Sequence, residues 1–179
     1  MTEKNVYLIV AVDENNGIGK EGKMPWHFKK EMEFFRDTTS ETMEFDTKNM
    51  VIMGRTTWES IDPKFRPLQD RENVVLTHNP DYNAEGAAVC YSLGEALRKA
   101  DLDEKIGDIF IIGGAQIYEL ALPISNGLYL TKIHNSYDCD TVFPDFSEYY
   151  TNPPENLGTK EENGTEFSFH FYSRERETF

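Results

Sequence analysis

Asp108-Ile109-Phe110-Ile111-Ile112-Gly113-Gly114-Ala115-Gln116-Ile117-Tyr118-Glu119-Leu120-Ala121 is the stretch that decides the fold. An apolar run of strand length, rich in isoleucine, stops at two adjacent glycines. Apolar residues then recur at helical spacing until Pro123 ends the pattern. A strand running straight into a helix is the building unit of an α/β sheet. Adjacent glycines at such a junction also let a ligand approach the backbone closely. Asn49-Met50-Val51-Ile52-Met53-Gly54-Arg55-Thr56-Thr57-Trp58-Glu59-Ser60-Ile61 repeats the arrangement. Here a threonine can cap the helix, the first-turn N–H groups make an anion site, and the guanidinium fork of Arg55 suits phosphate. Read alone, the same residues fit a plain capped helix with a surface arginine equally well.

Working outward, Val6-Tyr7-Leu8-Ile9-Val10-Ala11-Val12 is a continuous apolar run suited to a central strand buried on both faces. Residues 73–77 and 88–91 read as further strands, and Ser92 caps a helix over 93–100. From Gly127 the texture turns to β, with strands over 128–133, 141–143, 156–160 and 166–173. Asn163-Gly164 is a strong hairpin turn, and Phe167, Phe169 and Phe171 share one face of the last strand. Residues 38–48 are polar and aperiodic, which predicts a surface connection. The expected fold is α/β, a central mixed, mostly parallel twisted sheet flanked by helices and closed by a C-terminal antiparallel hairpin, as one domain over 1–179.

One acid is out of place in this pattern. Phe28, Glu31, Met32 and Phe35 fall at helical spacing on one apolar face, while Lys29, Lys30, Glu33 and Arg36 look outward. Burying even a neutral polar group without a partner costs on the order of 2–7 kcal/mol, so Glu31 must meet a cation, a proton or a ligand. A structural ion pair with a core arginine is one solution. The other is a flat, nitrogen-rich heterocycle, which suits an acid beside Trp26 and Pro25 and downstream of a glycine-rich loop. That loop contains G-x-G-x-x-G at Gly17, Gly19 and Gly22, yet it is not a dinucleotide fingerprint. Four polar residues precede Gly17 and Met24-Pro25 follows Gly22, so no helix opens there and a mobile loop is expected.

Composition narrows the possibilities. A formal net charge of −14, from 32 acidic and 18 basic residues, argues against sequence-independent binding of DNA or RNA, which needs basic surface. No apolar run approaches the ~20 residues that span a bilayer, and the start of the chain lacks a signal-peptide pattern, so a cytoplasmic protein is expected. Cys90 and Cys139 have no C-x-x-C spacing and four scattered histidines form no ligand cluster, which predicts reduced thiols and no metal.

Met24-Pro25-Trp26 with Glu31 five residues beyond, residues 51–61, Arg66-Pro67-Leu68 with Arg71, residues 111–118, Tyr129-Leu130-Thr131, and Asp140-Thr141 before Phe143-Pro144 occur in one order. In that set the chain resembles dihydrofolate reductase over essentially its whole length. The resemblance implies NADPH-dependent reduction of 7,8-dihydrofolate to tetrahydrofolate by a monomer that also binds antifolate inhibitors, with no nucleic-acid or membrane partner. It makes Glu31 the acid that binds the pterin's 2-amino group and ring nitrogen. Trp26 and Thr131 hold an ordered water and the acid's orientation, Met24 lies on the mobile lid, and Tyr118 sits beside the nicotinamide. Ile9, Val10, Ala11, Met32, Phe35, Ile61, Arg66, Leu68 and Ile112 are implied at the substrate, and Arg71 pairs with the glutamate tail's carboxylate. At the cofactor it implies Ala11, Ile18, Gly19, Gly54, Arg55, Thr56, Thr57, Ser60, Leu76, Thr77, His78, Ile112, Gly113, Gly114, Ala115, Gln116, Ile117 and Tyr118.

Three departures from the family pattern bear on this. The acid is Glu where many bacterial members carry Asp. Gln116 stands where a basic residue is common, and His78 where a small hydroxyl residue is, which leaves preference for the 2′-phosphate resting on Arg55. Two rivals share part of the pattern. A pyrimidine reductase of riboflavin synthesis has this fold and cofactor but should lack Trp26 with Glu31 and the tail-binding Arg71. An inactive binding paralogue should have lost Glu31 or the glycine pair.

Overall fold

The computed structural model describes residues 4–174. The chain runs Val6–Val12 (β1), Gly17–Gly19 (β2), Lys29–Ser40 (α1), Lys48–Gly54 (β3), Arg55–Ser60 (α2), Arg71–Leu76 (β4) and Ala88–Cys90 (β5). It continues through Leu93–Asp101 (α3), Ile106–Gly113 (β6), Ala115–Ala121 (α4), Gly127–Ile133 (β7), Thr141–Val142 (β8), Glu155–Glu162 (β9) and Thr165–Ser173 (β10). Eight strands join in the order β5-β4-β3-β6-β1-β7-β10-β9. Pairing is parallel from β5 through β7 and turns antiparallel where β10 meets β7 and β9. The apolar runs lie innermost, where helices cover both faces and no alternation of polar residues is tolerated.

The two faces have separate cores. Val6, Leu8, Val10, Ile109 and Ile111 pack with Ala96 and Ala100 of α3 and Tyr118 and Ala121 of α4. On the other side Ile9, Val51, Met53 and Phe110 meet Trp58 of α2 and the half-buried Phe34 and Phe35 of α1. Phe167 and Phe169 of β10 extend that second layer against Phe28 and Phe34, with ring centroids 5.1 and 4.1 Å apart. Phe171, on the same face, packs beside Tyr129 at 4.6 Å.

Several expectations need correcting at element ends. Residues 38–40 belong to α1 rather than to a surface connection: Thr39 is buried and donates its hydroxyl to the Phe35 carbonyl at 2.8 Å. No threonine caps α2, because the helix starts at Arg55 with Gly54 as its cap and places both threonines inside the first turn. Thr77, Tyr91 and Phe143 fall just outside the strands that were predicted to contain them, whereas β9 is longer than expected. Met32 is not a core residue. It is 45% exposed, because that flank of α1 borders an open cleft and the packing role passes to Phe34. Ser92 does cap α3, accepting from the Glu95 N–H at 3.1 Å.

The glycine-rich segment after β1 is tied down rather than featureless. β2 pairs with β8, and Lys20 bridges Lys23 across a tight turn. A Cβ at Gly17 would lie 2.4 Å from Cys139 Cβ, so only glycine fits there.

Candidate active site

Two neighbouring strands end in the predicted glycine junctions. β3 and β6 pair directly, with Met53 opposite Gly113, yet α2 leaves toward one face of the sheet and α4 toward the other. The crevice between their carboxyl ends is a topological switch point, where open α/β sheets bind ligands. Gly113 has φ +134°, and a Cβ there would meet Thr57 Oγ1 at 3.1 Å, so glycine serves both conformation and close approach. Around the crevice opens a cleft of about 2050 Å³, well above the ~300–1,000 Å³ of an ordinary small-molecule site. It has room for two ligands end to end.

Glu31 sits at one wall of this cleft, three residues into α1. It is 8% exposed, and among the described residues no hydrogen bond or ion pair engages it. Burial pushes its carboxyl up to about 7. No described arginine pairs with it. Trp26 is buried nearby in sequence, and its fully enclosed indole N–H also finds no partner among the described residues. Tyr118 is buried too, but its hydroxyl donates to the Ile9 carbonyl at 2.8 Å, and burial first and the charge of Glu31 second raise its pKa.

Of the other expected residues, most line the cleft together: Ile9, Val10, Ala11, Ile18, Gly19, Met24, Met32, Phe35, Ile61, Leu68, Arg71 and Ile112 toward Glu31. Gly54, Arg55, Thr56, Thr57, Ser60, Leu76, Thr77, His78, Gly113, Gly114, Ala115, Gln116, Ile117 and Tyr118 line the switch point and beyond. Arg71 is half-buried. It donates from Nε to the Gln69 carbonyl and from Nη1 to Thr39 Oγ1, at 2.8 and 3.0 Å, yet no described carboxylate pairs with it. Burial lowers its pKa. In a chain with 14 excess acids, a guanidinium left without one is a place for a ligand's carboxylate.

Three expected residues stand back from the cleft. Thr131 is buried in β7 beside Ala11, and Trp26 is buried behind the lid. Arg66 faces inward: its Nη1 donates to the Trp58 and Ile61 carbonyls at 2.7 and 3.2 Å, and its guanidinium lies 5.2 Å above the Trp58 ring. It braces the end of α2 and does not line the cleft. Arg55 is exposed and only half free, since its Nε pairs with Glu59 at 2.9 Å while its guanidinium rests on Tyr82 at 4.5 Å. That carboxylate sets the arginine's orientation and offsets part of its charge.

Sequence reasoning missed the far end of the cleft, where Tyr91, Ser92 and Leu93 join the lining. Their place follows from β5 lying beside β4, with Leu76 level with Cys90, a long-range pairing that no local pattern announces. It also missed Asp13, which is 1% exposed at the start of the glycine-rich loop. Its carboxylate accepts the N–H groups of Asn15, Gly17 and Tyr137 at 2.9, 2.7 and 3.1 Å, with the Cys139 thiol at 3.6 Å. Burial pushes this carboxyl up, but the bonds from Gly17, Tyr137 and Asn15 outweigh it and hold it below its ordinary value.

The doubly covered sheet and its switch-point cleft define the class of open α/β proteins that bind ligands at the carboxyl ends of their strands. The particular family is set by comparison with known proteins. A family model described as dihydrofolate reductase matches residues 5–174, and the chain belongs to that family. It is 44% identical over 154 residues to a dihydrofolate reductase of Heliothis virescens, covering 83% of each chain. It is 38% identical over 170 residues to a dihydrofolate reductase of Drosophila melanogaster, covering 90% of this chain and 93% of that protein. A bifunctional dihydrofolate reductase-thymidylate synthase of Glycine max is 37% identical over 182 residues, which cover 97% of this chain and 34% of that longer protein.

Proposed function

We propose that the chain, acting as a single cytoplasmic domain, reduces 7,8-dihydrofolate to 5,6,7,8-tetrahydrofolate with NADPH, and that Glu31 is the residue on which substrate recognition turns. The observation that carries this reading is a buried carboxyl with no described partner facing a cleft. A pterin's 2-amino group and ring nitrogen offer it two donors, and binding them satisfies a group whose burial is otherwise costly. Arg71, likewise unpaired, takes the carboxylate of the glutamate tail. The two unsatisfied charges then fix both ends of one substrate. Ile9, Ala11, Phe35 and Ile61 supply flat apolar walls between them.

The residues at the switch point fit the dinucleotide. Gly113 lets the backbone come close, the N–H groups at the start of α2 and α4 face the crevice, and Arg55 keeps its terminal nitrogens for a phosphate. When bound, NADPH supplies the hydride; the protein aligns the rings and keeps water out. The pterin N5 needs a proton in the same reaction. Glu31 acts from the far side of the ring, so a water admitted past Met24 delivers the proton and Glu31 sets the field around it. Because burial holds Glu31 near neutrality in pKa, hydride transfer slows as pH rises through about 7.

Mixing protein, NADPH and dihydrofolate and following the cofactor's absorbance band tests the activity directly. Oxidation that needs both compounds is expected; NADPH that stays reduced would sink the reading. In single-turnover form the same mixture tests Glu31, where a rate flat from acid to alkaline pH counts against its role.

A further inference from the structure

The helix that carries Glu31 lacks a cap of its own. Its N-cap residue is Phe28, which offers no side-chain oxygen, so the first N–H groups of α1 need an outside partner. They find it far away in sequence. Glu162, the last residue of β9, accepts the Lys29 N–H on Oε2 at 2.7 Å and the Lys30 N–H on Oε1 at 3.0 Å. Lys30 Nζ adds a bond to the Glu161 carbonyl at 3.0 Å. The hairpin holds this carboxylate in place: Asn163 and Gly164 have φ 52° and 80°, a two-residue turn with both centres left-handed, and Thr165 pairs back on Glu162. Below the cap, Phe28 packs on Phe167 and Phe34 stacks on Phe169.

We propose that Glu162 is the positioning residue for Glu31, capping the acid's helix from the C-terminal hairpin so that the Glu31 carboxyl is left to face the cleft. The proposal rests on the reading of Glu31 given above. A glutamate at the third position of a helix can fold back onto the N-cap N–H, and the positive end of the helix dipole draws it that way. Glu162 takes the Lys29 and Lys30 N–H groups and cancels part of that positive end. That weakens the pull on Glu31, which makes no hydrogen bond back to the start of its helix.

The charges around the pair are few. Lys29, Glu33 and Arg36 of α1 line the same cleft as Glu31, Lys30 is exposed, and Glu161 adjoins Glu162 on β9. His27 lies within the field of Glu162, and Tyr118 of α4 within that of Glu31. Removing the Glu162 charge frees two donors and restores the helix's positive end, both of which favour the ionised form of Glu31.

The test is Glu162→Gln, which removes the charge and one of the two accepting oxygens, beside Glu162→Asp, which keeps both but shortens the reach. Side-chain carboxyl carbon NMR of the ligand-free full chain follows the titration of Glu31. Its midpoint is expected to fall in Glu162→Gln and to return part of the way in Glu162→Asp. Binding of a tail-less 2-amino-4-oxopteridine is expected to weaken roughly five-fold, the size of a helix-end charge effect, while NADPH affinity stays as it was. A folded Glu162→Gln protein whose Glu31 midpoint is unmoved overturns the proposal, as does equal weakening toward pteridine and NADPH, which marks a general loosening. Should Glu162→Gln fail to fold, an unmoved midpoint in Glu162→Asp overturns it likewise. A moved midpoint in a protein whose wild type binds no pteridine supports the cap while discarding the substrate.

Discussion

Asp13 at the start of the glycine-rich loop and Glu31 at the wall of the cleft are both buried carboxylates, 1% and 8% exposed, and their surroundings push their pKa values in opposite directions. Asp13 accepts three backbone N–H groups and holds two loops together. Glu31 accepts none. The arginines differ in place rather than in partners: no described carboxylate pairs with either, but Arg66 turns inward onto the Trp58 and Ile61 carbonyls whereas Arg71 lines the cleft. Burial alone therefore does not mark a functional charge in this protein; burial without a partner does, because the missing bonds are left for something outside the chain.

The largest effect expected of that contrast is at Glu31. Glu31→Gln keeps the shape and removes the charge, so turnover should drop by about 10² to 10⁴-fold with the fold intact by circular dichroism. Arg71→Leu comes next. Affinity for tail-bearing substrate should fall tens of fold, about 2 kcal/mol, with tail-less pterins little affected in the same titration. Asp13→Ala is the mirror image: chemical denaturation should show a loss of about 1–3 kcal/mol, since buried N–H groups lose their acceptor. If instead Asp13→Ala abolished the chemical step and left stability alone, the division between the two regions would collapse.

Stability against pH should separate the two acids by sign. The folded pKa of Glu31 lies above its unfolded value of 4.5, so its contribution is whole below 4.5 and is lost as pH rises through about 7, at up to ~1.4 kcal/mol per pH unit. The folded pKa of Asp13 is depressed, so its contribution is present above 3.8 and is lost as pH falls. Urea midpoints across this range should show the alkaline decline vanish in Glu31→Gln and the acid decline lessen in Asp13→Asn. The smallest effect belongs to Glu59→Gln. Freeing Arg55 from its surface partner should raise the preference for NADPH over NADH only a few-fold in direct binding measurements, because water and salt screen an exposed pair of this kind.

The sheet was legible in the sequence because residues 6–12, 49–53 and 109–112 are apolar without alternation, and both glycine junctions announce themselves. Glu31 was legible because a helical period puts it on the wrong face. The misreadings have a common cause. Met32 follows the same period as Glu31, but periodicity does not say which flank of a helix meets open space. Asp13, Glu162 and the Tyr91-Ser92-Leu93 segment act through partners 124, 132 or 14 positions away or across a strand pairing, and local pattern carries no record of those contacts. Arg66 and Arg71 look alike in sequence, and only their places in the fold tell them apart.

The solitary guanidinium of Arg71 has a kinetic corollary. Both reactants are anions approaching a surface that repels them, and within a Debye length of the cleft mouth this arginine is a local attraction for a carboxylate. Folate should therefore enter tail first, and added salt, by quieting the surrounding repulsion, should quicken its arrival before it begins to weaken its grip.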